Sequence, residues 1–160
     1  MGIGKKKLRT CLLAVLLLIS GALWAKDPNV GTWKMNPEKS KYTTDHPAPQ
    51  SLTVTFKEQP GGLIVDAVGT DAKGNPLKVH WAAKFDGKDY PSSGSADGAN
   101  SVSLKKVDAN TMETTNKKDG QVVSTVHSEV SKDGKTRTST WSGKDSKGNP
   151  ESWTVVLDKQ

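Results

Sequence analysis

From Ser51 onward, apolar and polar residues alternate with a period of two, interrupted by turn clusters about every dozen residues. Leu52, Val54 and Phe56 share one face of 51–58, and 59–62 turns the chain. Leu63, Val65 and Ala67 share a face of 63–70, which ends at the turn 71–76. Leu77, Val79, Trp81, Ala83 and Phe85 form the longest alternating run. A period of two places alternate side chains on one side of an extended chain, so each run predicts a strand with one buried face. Val102 with Leu104, and Met112 among its threonines, mark further strands. So do Val122 with Val126 and Val130, then Trp141, and finally Trp153 with Val155 and Leu157. Asp86-Gly87, Asp97-Gly98, Asp119-Gly120, Asp133-Gly134 and Gly148-Asn149 separate these strands; such residues tolerate the positive φ of tight hairpins. No stretch long enough for a helix carries a 3.6-residue period.

Successive strands joined by tight turns make an antiparallel meander. A flat sheet of this many strands would expose two edges, and closure removes them. The expected fold is therefore all-β: a single up-and-down meander closed into a barrel of about 8–10 strands, with a two-sheet sandwich as the other way to cover the apolar face. One string occurs twice. Gly69, Asp71, Lys73, Gly74, Asn75 and Pro76 reappear as Gly143, Asp145, Lys147, Gly148, Asn149 and Pro150, which reads as one turn sequence used again.

Residues 1–25 stand apart. Lys5, Lys6, Lys7 and Arg9 precede a leucine-rich run from residue 11 to 19, followed by small residues up to Ala25. A basic start, a short apolar core and a small-residue exit predict a secretory signal peptide, cleaved after Ala25 or, as second choice, after Ala22. The apolar run is shorter than the roughly 20 residues of a membrane-spanning helix. The expected organisation is a signal peptide over 1–25 and one domain over 26–160, exported to the periplasm or secreted, without a membrane anchor once cleaved.

Removing that segment changes the charge picture. Of 23 Lys and Arg, four lie in it, leaving 19 against 17 Asp and Glu, a net charge of +2. An interspersed, nearly balanced surface does not supply the clustered basic face that nucleic acid requires. Cys11, the only cysteine, lies before the apolar core and goes with the segment. No disulfide, thiol nucleophile or thiolate ligand is then expected, and a single soluble, monomeric domain can bury its core without them.

The string Val30-Gly31-Thr32-Trp33-Lys34-Met35-Asn36 precedes the meander. A Gly-x-Trp on the first strand of a repeated-hairpin barrel resembles the lipocalins and the related fatty-acid-binding proteins, the calycin-type barrels. The longer pattern Gly-Thr-Trp-Lys-Met-Asn-Pro-x-Lys-Ser-Lys-Tyr is similar to that of small exported bacterial proteins without an assigned activity. The resemblance implies structural roles for Gly31 and Trp33, with the indole plugging the closed end of the barrel. It fails in two places. Residues 37–49 have three prolines and room for about one turn, capped by Asn36, where fatty-acid-binding proteins insert two helices. The Arg-x-Tyr pair of their last strand is also absent, and Trp153-Thr154-Val155 stands in its place.

Candidate chemistry is sparse. His46, His80 and His127 are the only histidines, none at ligand spacing, and all three are expected on the surface. The Asp-rich turns lack the terminal bidentate glutamate of a calcium loop. No Gly-x-Ser-x-Gly elbow or inward carboxylate pair is present, so neither an enzyme nor a cofactor is expected. Arg137 is the single arginine after residue 25, and alternation within 136–142 places it with Ser139 and Trp141. On an inward face, its forked cation would hold a carboxylate or phosphate headgroup; on the outer face it would lie over Trp141 as a cation–π pair. The expected function is therefore an exported binding protein for a small, mainly apolar ligand. Trp81, Phe85, Trp141 and Trp153 would form the wall and Arg137 would meet the headgroup. The other reading is a structural or protein-interaction barrel filled by its own side chains. Interior volume separates the two.

Overall fold

Alternation carries the chain through ten antiparallel strands. They are β1 (Gly31–Met35), β2 (Ser51–Gln59), β3 (Gly62–Thr70), β4 (Pro76–Lys84), β5 (Tyr90–Ser93), β6 (Ser101–Lys106), β7 (Thr111–Lys118), β8 (Gln121–Val130), β9 (Thr136–Lys144) and β10 (Pro150–Lys159). These come from a computed structural model that describes residues 26–160; the segment 1–25 expected to be a signal peptide lies outside them. Each strand pairs with its sequence neighbour and β10 returns to β1, so the meander closes into one barrel rather than a sandwich. No helix occurs among the described residues; 37–39 form a single turn, with Asn36 Oδ1 accepting the Lys39 N–H at 3.1 Å.

Two features depart from the period-two pattern. β5 carries no apolar alternation, and Pro91 has no N–H for the ladder, so the strand makes only two registered pairs with each neighbour. On β7–β8 the register slips at Asn116/Lys117: Asn116 faces Ser124, but Lys117 faces Val122. This bulge puts Val126 and Val130 inside and leaves Val122 59% exposed, so the three valines do not share a face. The hairpin that follows the bulge turns on Asp119 (φ 50°) and Gly120 (φ 80°), the positive angles that an Asp-Gly pair tolerates.

Because a meander reverses at each turn, its connections gather at two ends. Residues 26–30 and the β2–β3, β6–β7 and β8–β9 turns lie at one end; segment 36–50 and the β3–β4, β5–β6 and β9–β10 connections lie at the other. The first end is solid. Trp33, Leu63, Leu104, Met112 and Val130 are wholly buried there. Burying one indole removes about 150–250 Å² from water, a stabilisation of roughly 4–6 kcal/mol. Trp33 also places its only polar atom: Nε1 donates to the Asn29 carbonyl at 2.7 Å. The Lys159 ammonium lies 4.8 Å above its ring. Gly31 makes room for this lysine: it has φ +137°, and a Cβ there would sit 2.9 Å from Lys159 Cε.

Candidate functional site: a cavity with a cationic floor

Above the packed end the barrel is hollow. A cavity of about 620 Å³ opens between segment 42–49, the β3–β4 turn and the loop after β5. Register fixes its layers. Phe56, Val65, Trp81, Leu157 and Arg137 border its depth; Val54, Ala67, Val79 and Val155 stand above them; Leu52, Leu77 and Trp153 lie towards the mouth. All are inward residues of period-two strands.

Arg137 forms the floor. Its neighbours in register are Val130 and Leu157, and it is 4% exposed. The guanidinium carbon lies 4.5 Å from the centroid of the Phe56 ring, a cation–π geometry. Nη1 donates to Asn29 Oδ1. Asn29 in turn donates from its backbone N and its Nδ2 to Asp27 Oδ1, each at 2.9 Å, and the Lys106 ammonium donates to Asp27 Oδ2 at 2.7 Å. Burial pulls the guanidinium pKa down to about 10, against which the Asp27 carboxylate acts to raise it. Arg137 is therefore still a cation at neutral pH. Among the described residues Asn29 is its one hydrogen-bonded side chain, which leaves most of its five donors for a guest.

At the mouth, His46 stacks on Trp153 with centroids 3.6 Å apart, and Trp153 stacks on Trp141 at 5.7 Å. His46 Nε2 lies 3.4 Å from the Lys144 carbonyl and 3.5 Å from Glu151 Oε2. That carboxylate oxygen is the one buried side-chain oxygen or nitrogen without a hydrogen-bond partner among the described residues. His46 thus differs from the surface position expected of it: aromatic stacking draws it half under the rim. His80 and His127 are exposed, His80 Nδ1 lying 2.8 Å from Asp66 Oδ1.

Comparison with solved structures identifies the architecture. Zebrafish ileal bile acid-binding protein, in complex with cholic acid, superposes with a TM-score of 0.51 at 9% identity, over 83% of this chain and 99% of that one. Apocrustacyanin C2 matches with a TM-score of 0.47 at 9% identity, over 84% of this chain and 62% of the crustacyanin chain. The fold is calycin-type. No family model matches the chain, and no curated protein matches it.

In this calycin-type barrel, Trp81, Arg137, Trp141 and Trp153 border the cavity. Phe85 does not. β4 ends at Lys84, so Phe85 leaves the wall at the closed end, where its N–H donates to the Gly61 carbonyl and the Lys106 ammonium lies 5.3 Å over its ring. Sequence reading missed Asn29 and Asp27, the groups that balance Arg137, because residues 26–30 lie outside any periodic segment. It placed Ser139 beside Arg137 but passed over the inward hydroxyls of Thr114 and Ser128, although Ser128 lies between His127 and Glu129 on the same face as Val126 and Val130. Ser128 and Ser139 hydrogen-bond each other at 3.0 Å, and no imidazole or carboxylate is bonded to either. Among the described residues no three His, Cys, Asp or Glu side chains converge to hold a metal ion.

Proposed function

We propose that this protein is an exported carrier that acts as a monomer and holds one small, mainly apolar amphiphile in its barrel, with the anionic headgroup on Arg137. The observation that carries the reading is a mostly apolar cavity of about 620 Å³ with a buried guanidinium at its floor. That volume lies within the range of roughly 300–1,000 Å³ typical of ligand sites, and apolar walls with a few placed polar groups are their usual make-up. A barrel meant only to be packed would gain by filling this space, since close-packed interiors are more stable than hollow ones. A buried cation with one neutral acceptor is costly in isolation, and an incoming carboxylate would offset that cost. The zebrafish barrel of the same fold carries cholic acid, itself a carboxylic acid. The basic, apolar, small-residue succession of 1–25 supports export.

Tryptophan fluorescence tests the reading, because Trp81, Trp141 and Trp153 all border the cavity. Titration with fatty acids, retinoids and haem is expected to give saturable quenching, strongest for carboxylates. An unchanged spectrum across that panel would defeat it.

A further inference from the structure

The cavity is two-faced. β2, β3, β4 and β10 present apolar side chains to it, whereas β7, β8 and β9 present Thr114, Asn116, Ser128 and Ser139 above Arg137. Register lines these up from floor to rim. Arg137 faces Val130, Ser139 faces Ser128, Thr114 faces Val126 beside Trp141, and Asn116 faces Ser124. Above them, Asn116 Nδ2 donates to Ser124 Oγ at 2.9 Å, and Ser124 Oγ donates to Asp97 Oδ2 at 2.7 Å. A wall facing only alkyl chain would gain from valine or leucine at these positions, because polar groups left without partners oppose burial.

Mutual pairing does not use up this polarity. A hydroxyl donates once and accepts twice, so the Ser128–Ser139 pair retains one unused donor. Among the described residues, neither Thr114 Oγ1 nor Asn116 Oδ1 has a hydrogen-bond partner, yet neither is a sealed unsatisfied atom. Both residues border the cavity.

We propose that the β7–β9 wall is a hydrogen-bonding subsite, and that the ligand is an elongated amphiphile bearing hydroxyl groups along one edge. This rests on the carrier reading and sharpens it. The apolar arc packs the hydrocarbon edge, Arg137 takes the anionic end, and Ser139, Thr114 and Asn116 meet the hydroxyls in that order from the floor upward. Such a site discriminates against a plain alkyl acid, because that guest leaves the wall's polar atoms unmatched.

The test compares palmitate with a trihydroxylated palmitate on the wild type, Thr114→Val and Ser139→Ala, read by tryptophan quenching. Thr114→Val keeps the shape and removes one hydroxyl. It is expected to weaken the hydroxylated acid about fivefold, the loss of one hydrogen bond, while palmitate stays within about twofold. Ser139→Ala is expected to act in the same sense. Unchanged palmitate affinity shows that each variant keeps its cavity. If both acids bind and both variants leave their affinity ratio as in the wild type, the subsite is refuted and the carrier reading stands. Binding of palmitate alone refutes it equally. If neither acid binds the wild type, the carrier reading itself fails and the subsite with it.

Discussion

Arg137 concentrates the chemistry of the molecule in one side chain. Strand alternation with Trp141 was enough to suggest its inward direction, but its surroundings were not legible. Asn29 lies 108 residues away in a segment with no period to read, and Asp27 reaches the arginine only through it. Arg137→Gln separates charge from shape, since a glutamine amide still donates a hydrogen bond. Replacing the charge-assisted contact is expected to weaken palmitate at least about tenfold, with hexadecanol held as before. Removing a buried cation relieves its desolvation, so the variant should melt no lower than the wild type. Carboxylate affinity in the wild type should be level through neutral pH and fall as pH rises through about 10, where the guanidinium loses its proton. Equal losses for acid and alcohol would show that Arg137 shapes the cavity rather than reading a headgroup.

Among the elements, the turns were the most legible and the short strand the least. The repeated Asp-x-Lys-Gly-Asn-Pro string folds identically both times. Asp71 Oδ1 accepts the Lys73 and Asn75 N–H groups at 2.8 Å each, and Asn75 Nδ2 reaches Oδ2 at 3.0 Å. Around Asp145 the same three bonds measure 2.9, 2.8 and 2.9 Å. Aspartate at the head of a turn is specified by local hydrogen bonds, which a short string can encode. β5 is not local in this sense: Tyr90-Pro91-Ser92-Ser93 has no pattern of its own and is a strand because β4 and β6 flank it. The turn bonds also set an acid response. Bonds from the Asn75 and Asn149 side chains, then from backbone N–H groups, hold Asp71 and Asp145 below the ordinary 3.8. As pH falls, the unfolded chain takes up protons first, so this stabilisation is present above 3.8 and drains away below it. Thermal melting should be level from neutral pH down to about 5 and then fall. The double variant Asp71→Asn, Asp145→Asn should melt lower at neutral pH and lose less on acidification. Parallel acid limbs would mean that these loops do not carry the effect.

At the level of the whole molecule, period-two patterning says which residues face inward but not how wide the interior is. Width follows from strand number and stagger, and β5, which brings the count to ten, was the strand without a pattern. The cavity therefore had to be seen in the fold, and it sets function against stability at a single set of positions. Ala67 on β3 borders the hollow and is 7% exposed. Ala67→Phe extends a ring into that space, and cavity filling of this kind commonly stabilises by about 0.5–2 kcal/mol. The variant is expected to melt a few degrees above the unliganded wild type. Palmitate at about a hundred times its Kd adds about 2.7 kcal/mol to the wild type by mass action, a shift of roughly 10 °C in a domain of this size. The filled variant should show no such shift, because phenylalanine and ligand compete for the same volume. If Ala67→Phe keeps the full ligand-induced rise, the guest binds elsewhere on the barrel and the hollow is not its site.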